Sequence, residues 1–272
     1  MIPRPAMLYR LGLTLAAALA LAACSQEAPS PASNAATSAP ASNAPASTAA
    51  PAAGDTTRTP GPVVPPAGTA PVAGTDYVVI PGGTPFKAGG DRIEVVEVFG
   101  YTCPHCATFE PLVSAWSASL PADVEFVPMA APFGGFWMPY AKAFFTAQTM
   151  GVAEQSHEAV FRAIHVDRSL PVQPLPTDEQ LGQFYAQFGV DPKQFASTMS
   201  SFAITARLNQ ARQFIERSFG SDNPSTPSLI INGKYRIKTA PFDEQLRIAD
   251  HLIAMERAAM SADAAPATGA GE

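Results

Sequence analysis

Apolar residues fall along the chain in blocks whose period changes. An uncharged apolar run from Leu11 to Ala23 comes first, followed by about fifty residues without an aromatic side chain. Tyr77 to Ile80 then predicts a short strand, and Arg92 to Phe99 a longer one rich in β-branched residues. Phe109, Leu112, Val113, Trp116 and Leu120 recur at helical spacing, which predicts one apolar helix face; Pro104 suits the first turn, where its missing N–H costs nothing. Val124 to Val127 predicts the next strand. A long helical stretch covers roughly Met138 to Phe219. Within it Phe195, Met199 and Phe202, then Leu208, Ala211, Ile215 and Phe219, keep helical spacing and are expected in a core rather than on a binding stripe. Ser228 to Ile231 and Lys234 to Ile237 flank Asn232-Gly233, a strong hairpin signal. Phe242, Leu246, Ala249 and Ile253 make the apolar face of a closing helix. The order is strand, strand–helix, strand, helical block, two hairpin strands and helix, an α/β pattern.

The ends read differently. Residues 1–24 have the marks of an export signal, with Arg4 and Arg10 before an apolar run too short to span a bilayer comfortably. Leu21-Ala22-Ala23-Cys24 resembles the lipobox of bacterial lipoproteins, which implies lipidation of Cys24 and a membrane anchor made by acyl chains. An ordinary signal peptide that happens to contain a cysteine is the alternative. Ten of the 28 prolines lie in residues 25–75, amid Ala, Ser and Thr, with only Glu27, Asp55 and Arg58 charged. Too little apolar surface is available there to offset ordering entropy, so the segment is expected to be a disordered tether, as is the tail at 261–272. Residues 76–260 remain as one domain, with the helical insertion at about 138–219. A net charge of −6 and a pI near 5.2 exclude nucleic acid and anionic membrane surfaces as expected partners.

Of three cysteines, Cys24 belongs to the leader, which leaves Cys103 and Cys106. One pair in so large a domain is not a disulfide scaffold, and chemistry is the better explanation. The pair sits where a strand feeds a helix N-terminus. Unpaired backbone N–H groups and the positive helix end there favour a thiolate on Cys103, making it both nucleophile and good leaving group. Cys106, one turn in, is expected to be more buried and to resolve a mixed disulfide. His105, between them, can donate a hydrogen bond or carry positive charge, both of which stabilise the reduced form and make the disulfide oxidising. Half of a zinc site is the other reading of Cys-x-x-Cys. Zinc needs four ligands, however, and His157, His165 and His251 show no ligand spacing with the pair, so neither metal nor cofactor is expected.

The segment Val96-Glu97-Val98-Phe99-Gly100-Tyr101-Thr102-Cys103-Pro104-His105-Cys106, continued by Phe109-Glu110-Pro111, resembles the active-site segment of the DsbA family within the thioredoxin superfamily. The resemblance implies a thioredoxin fold with an inserted helical subdomain, from about residue 76 to 258. It implies a catalytic set of Cys103, Cys106, His105, Pro104 and Glu97. Glu97 shares strand parity with Ile93, Val95 and Phe99; as a buried acid beneath the disulfide it would relay a proton to Cys106, and an exposed strand face is the alternative. Thr226-Pro227 matches the superfamily's cis-proline, whose preceding backbone pairs with extended substrate. Phe133, Phe136, Trp137, Met138 and Tyr140, next to Gly134-Gly135, are either packing between subdomains or an apolar surface for unfolded chains.

Several functions stay open. A dithiol oxidase would accept electrons from reduced or unfolded exported proteins and be reoxidised by a membrane partner resembling the DsbB quinone reductases. It would work as a monomer on the periplasmic side of the envelope. An envelope reductase or isomerase is the nearest alternative, although the superfamily's isomerases dimerise through an added N-terminal domain that residues 25–75 do not offer. A binding protein with incidental cysteines is the third. The anchor is compatible with either membrane: Ser25 lacks the acidic retention signal, whereas an inner-membrane reoxidant favours the inner one.

Overall fold

The structure, a computed structural model, describes residues 60–87, 90–238 and 240–264. Cys24, residues 1–59 and the tail from 265 onward lie outside the described residues. Five strands form one sheet: β1 (Tyr77–Val79), β2 (Ile93–Phe99), β3 (Val124–Ala130), β4 (Ser228–Ile231) and β5 (Tyr235–Ile237), in the order β1-β5-β4-β2-β3. β2 and β3 run parallel across the helix α1 (Pro104–Ala118), and the remaining pairs are antiparallel. β2 lies between β4 and β3 and is buried along its whole length, which is why it reads as a nearly continuous apolar run. The hairpin between β4 and β5 turns at Asn232 and Gly233, both with positive φ (51° and 65°), and Lys234 N–H closes it on the Ile231 carbonyl at 2.9 Å. That is the conformation that favours Asn-Gly.

Two cores cover the two faces of the sheet. Ile93 and Val95 of β2, with Leu229 and Ile231 of β4, pack against Phe109 and Val113 of α1 and against Ile248, Leu252 and Ile253 of α7 (Phe242–Ala264). Val96, Val98 and Ile230 face the helices that occupy residues 138–219: α2 (Met138–Thr149), α3 (Ala153–His165), α4 (Asp178–Tyr185), α5 (Pro192–Met199) and α6 (Phe202–Phe219). A mixed sheet with α1 and α7 on one face and the helical block on the other is the thioredoxin fold with its helical insertion.

Four expectations need correction. Phe202 is 86% exposed, because a break at Ser200–Ser201 separates α5 from α6 and the spacing of Phe195 and Met199 does not carry across it. Leu112 is 47% exposed: Phe109 and Val113, four apart, define the buried face of α1, and Leu112 falls at its edge. Phe99 leaves the parity of Ile93 and Val95, since its ring turns into the helical block against Phe144, His157 and Phe161.

The fourth concerns the N-terminal boundary at residue 76. Residues 60–75 lie along the domain and are held through their main chain. Gly61 N–H donates to the Leu120 carbonyl at 3.1 Å, His251 Nε2 lies 2.9 Å from the Ala67 carbonyl, and Arg247 donates to the Thr69 carbonyl. Val63, Val64 and Val72 stay exposed, so the attachment escapes any count of apolar side chains. At the other end, α7 runs on to Ala264, past the expected start of the tail at 261. Among the described residues no helix is long and apolar enough to cross a membrane.

Candidate active site

Cys103 is the N-cap of α1, in extended conformation (φ −84°, ψ 118°), and Pro104 opens the helix. Its sulfur faces unpaired backbone N–H groups of the first turn, and Cys106 follows one turn later. Cys103 is 7% and Cys106 1% exposed, both as free thiols. Pro104 and His105 lie on the surface between them. Across a gap from the helix end stands Thr226-Pro227, a cis peptide, with the Thr226 carbonyl 3.6 Å from Cys103 Sγ. β4 follows directly, so the sheet itself fixes the height of this loop against the sulfur.

The two thiols titrate in opposite directions. A hydrogen bond from the Cys106 thiol lowers Cys103 to about 5; burial opposes this, and the Thr226 side chain and the N–H groups of Cys106 and His105 add to the lowering. Cys106 is pushed far up, first by burial, then by its role as donor to Cys103 and by the charge on that sulfur, with Glu97 contributing. One sulfur is built to be a thiolate and the other to hold its proton.

Glu97 is 1% exposed on the α1 side of β2, between Pro128 of β3 and Leu229 of β4 in register. The exposed-face alternative is thereby excluded. Its Oε2 has no hydrogen-bond partner, and burial, with Glu110 nearby, holds the carboxyl well above its ordinary value. A neutral acid beneath Cys106 results. Among the described residues no cluster of three His, Cys, Asp or Glu could hold a metal ion.

The aromatic cluster divides in two. Tyr140 is buried, with its hydroxyl donating to the Pro171 carbonyl at 2.8 Å. The Trp137 ring lies against Gly100, leaving no room for a β-carbon there, and stacks on Phe136 at 5.7 Å. Phe133 and Phe136 are 39% and 38% exposed. The cluster is packing at its base and apolar surface at its rim.

Four residues escaped the sequence reading of the site. The motif gives Tyr101 and Glu110 no role of their own, and His157 and His165 show no ligand spacing with the cysteine pair. The structure brings all four together: His157 Nε2 is 3.2 Å from Glu110 Oε2, its Nδ1 is 2.8 Å from the Tyr101 hydroxyl, and His165 Nε2 donates to the Tyr101 carbonyl at 2.7 Å. An interval of eight residues, about two helical turns, places both histidines on one face of α3, and that spacing was the available signal.

No family model matches the chain. Curated relatives do. The thiol:disulfide interchange protein DsbA of Pseudomonas aeruginosa is 41% identical over 190 residues, covering 69% of this chain and 86% of that protein. DsbA of Azotobacter vinelandii is 36% identical over 189 residues, covering 68% and 85%. Among solved structures, the oxidoreductase DsbA of Xylella fastidiosa has 42% identity and a TM-score of 0.67, covering 70% of this chain and all of that one. P. aeruginosa DsbA has 40% identity and a TM-score of 0.61, covering 68% and 94%.

Proposed function

Since the chain belongs to the DsbA family of thiol:disulfide interchange proteins, and is thus a thiol–disulfide oxidoreductase that introduces disulfide bonds, we propose that Cys103 is its exchanging sulfur, Cys106 its resolving sulfur and Glu97 its proton donor. The observation that carries this assignment is the opposed acidity of the two thiols, with Cys103 at about 5 and Cys106 far above its ordinary range. A substrate thiolate attacks Cys103 in the Cys103–Cys106 disulfide. Cys106 leaves with the bonding electron pair and takes the proton of Glu97. The substrate's second thiolate then attacks its own sulfur in the mixed disulfide, and Cys103 leaves as a thiolate. The substrate has lost two electrons and the pair has gained them; Glu97 recovers its proton from solvent. The backbone beside Thr226-Pro227 aligns the substrate chain, and the rim of Phe133 and Phe136 gives unfolded exported proteins an apolar rest.

A DsbB-like membrane quinone reductase accepts the two electrons from the reduced pair. The enzyme acts as a monomer in the periplasm, and the lipobox at Cys24 anchors it through acyl chains and the segment that follows. Replacing Cys24 with Ala should move the protein from the membrane to the soluble fraction; retention in the membrane would overturn the anchor. The oxidase direction is tested by the reduction potential in glutathione buffers. A value near that of DsbA itself, about −120 mV, is expected; one near that of thioredoxin, about −270 mV, would make the protein a reductase.

A further inference from the structure

Three loops open on one end of the sheet. β4 and β3 flank β2, so the loop before β4, the redox loop after β2 and the loop after β3 stand side by side. Register fixes their heights. Val98 of β2 lies opposite Ser228 of β4, Phe99 lies opposite Ala130 of β3, and Ala131 N–H donates to the Phe99 carbonyl at 2.8 Å. At this end lies a hollow of about 210 Å³, open on one side and closed by α6 of the helical block. Pro132 and Phe133, from the loop after β3, form one wall, and Pro224, from the loop before β4, forms another. Buried Ile215 of α6 makes the floor, and Arg212 and Glu216, one helical turn apart and exposed, stand at the mouth.

Two magnitudes decide what fits. Cofactor and small-molecule sites occupy about 300–1,000 Å³, so a hollow of about 210 Å³ is too small for such a ligand and suits one large side chain. Pro224 is two residues from Thr226, at most about 7 Å along the chain, and the Thr226 carbonyl is 3.6 Å from Cys103 Sγ. A polypeptide joined to Cys103 in a mixed disulfide is therefore held within a few residues of the hollow. Its chemistry favours an aromatic ring: two prolines, Phe133 and Ile215 supply apolar faces, and the Arg212 guanidinium at the mouth can lie over a ring. We propose that this hollow is a substrate subsite built by the helical block, and that it takes an aromatic side chain two or three residues from the cysteine that pairs with Cys103. The occupant is a segment of a reduced exported protein. The inference rests on the exchange at Cys103 and on the alignment of substrate beside Thr226 proposed above. Along an extended chain one face repeats every second residue, about 7 Å, which matches the step from Thr226 to Pro224. Phe136 stacks on Trp137 and has no part in the hollow, so selection by the subsite is separable from the apolar rim.

The test is the single-turnover oxidation of reduced two-cysteine peptides by the full-length protein in its disulfide form. The peptides carry either Phe or Ala two residues before or two residues after the first cysteine. In one of these placements the wild type should oxidise the Phe peptide about tenfold faster than the Ala peptide. Phe133→Ala, which removes a wall, and Ile215→Phe, which fills the floor, should abolish that preference, whereas Phe136→Ala should keep it. The ratio compares two peptides on one variant, so changes in potential or stability divide out. Should Ile215→Phe fail to fold, Phe133→Ala decides, since its ring lies at the surface. Equal rates for the two peptides on the wild type overturn the subsite. So does a preference that is lost in Phe136→Ala and kept in Phe133→Ala, because the rim would then be selecting. If no peptide is oxidised at all, the exchange assigned to Cys103 fails, and the subsite fails with it.

Discussion

Replacing Thr226 with Val tests how the site sets its oxidising power. With Cys103 at about 5, thiolate exceeds thiol about a hundredfold at pH 7. That ratio is worth about 2.7 kcal/mol to the reduced form, or roughly 60 mV of potential. The Cys106 thiol is the largest source of the lowering and cannot be removed without losing the disulfide; the Thr226 side chain can. A hydrogen bond to a charged group contributes about 1.5–3 kcal/mol, so T226V should raise Cys103 to about 6–7. At pH 7 the reduced form then loses about 1.3–2.3 kcal/mol, and the potential falls by about 30–50 mV. The sign follows from the depressed acidity. Stabilisation of the reduced form is complete above the ordinary thiol value of 9.0, partial at pH 7 and absent below about 5. Wild type and variant should therefore converge in acid and separate above it. Ultraviolet absorbance of the thiolate against pH, with potentials in glutathione buffers, measures both quantities. An unmoved Cys103, or a potential difference that is the same at every pH, would refute the reasoning.

Glu97→Gln should stabilise the reduced protein at neutral pH. A carboxyl whose folded value is raised contributes stability that is complete below the ordinary value of 4.5 and is lost as pH rises through the folded value, so the variant should gain on the wild type as pH rises in urea unfolding. Equal stabilities across that range would contradict a buried neutral acid. Gly100→Ala puts a β-carbon 1.9 Å from the Trp137 ring and should cost about 1–3 kcal/mol, with a changed tryptophan emission; an unaffected protein would mean that the ring moves freely. Glu256 is 1% exposed and accepts from Asn232 Nδ2 at 2.6 Å and Lys234 Nζ at 2.8 Å, so Glu256→Ala should cost about 2–4 kcal/mol by chemical denaturation. A loss below about 0.5 kcal/mol would show that the β4–β5 turn holds itself.

Local chemistry was legible wherever it is short-range. Asn232-Gly233 demands positive φ at both positions, and Cys103-Pro104 demands a helix start, whatever the rest of the chain does. The odd charge of Glu97 in an apolar strand was readable as a buried acid, since parity places it with Ile93 and Val95. Contacts between distant elements were not. His157 meets Tyr101 across 56 residues and Glu256 meets Asn232 across 24, and no periodicity encodes which polar group another will find. Helical spacing puts Phe202 with Phe195 and Met199, but a break between α5 and α6 resets the register and leaves it on the surface. Residues 60–75 misled because their hold on α7 and on the end of α1 uses carbonyl oxygens, which every residue has and composition cannot see.

Gly61 meets the domain at Leu120, beyond the C-terminal end of α1, whereas Cys103 caps the other end. Fifteen helical residues at about 1.5 Å each set these two points about 22 Å apart. A bead, an electrode coating or a fused carrier protein joined ahead of residue 60 would thus be attached at the pole remote from the sulfur atoms. Immobilised in this way, the protein would present its reactive end to the bulk liquid, and throughput on a solid support would be set by diffusion to that end rather than by crowding at the point of attachment.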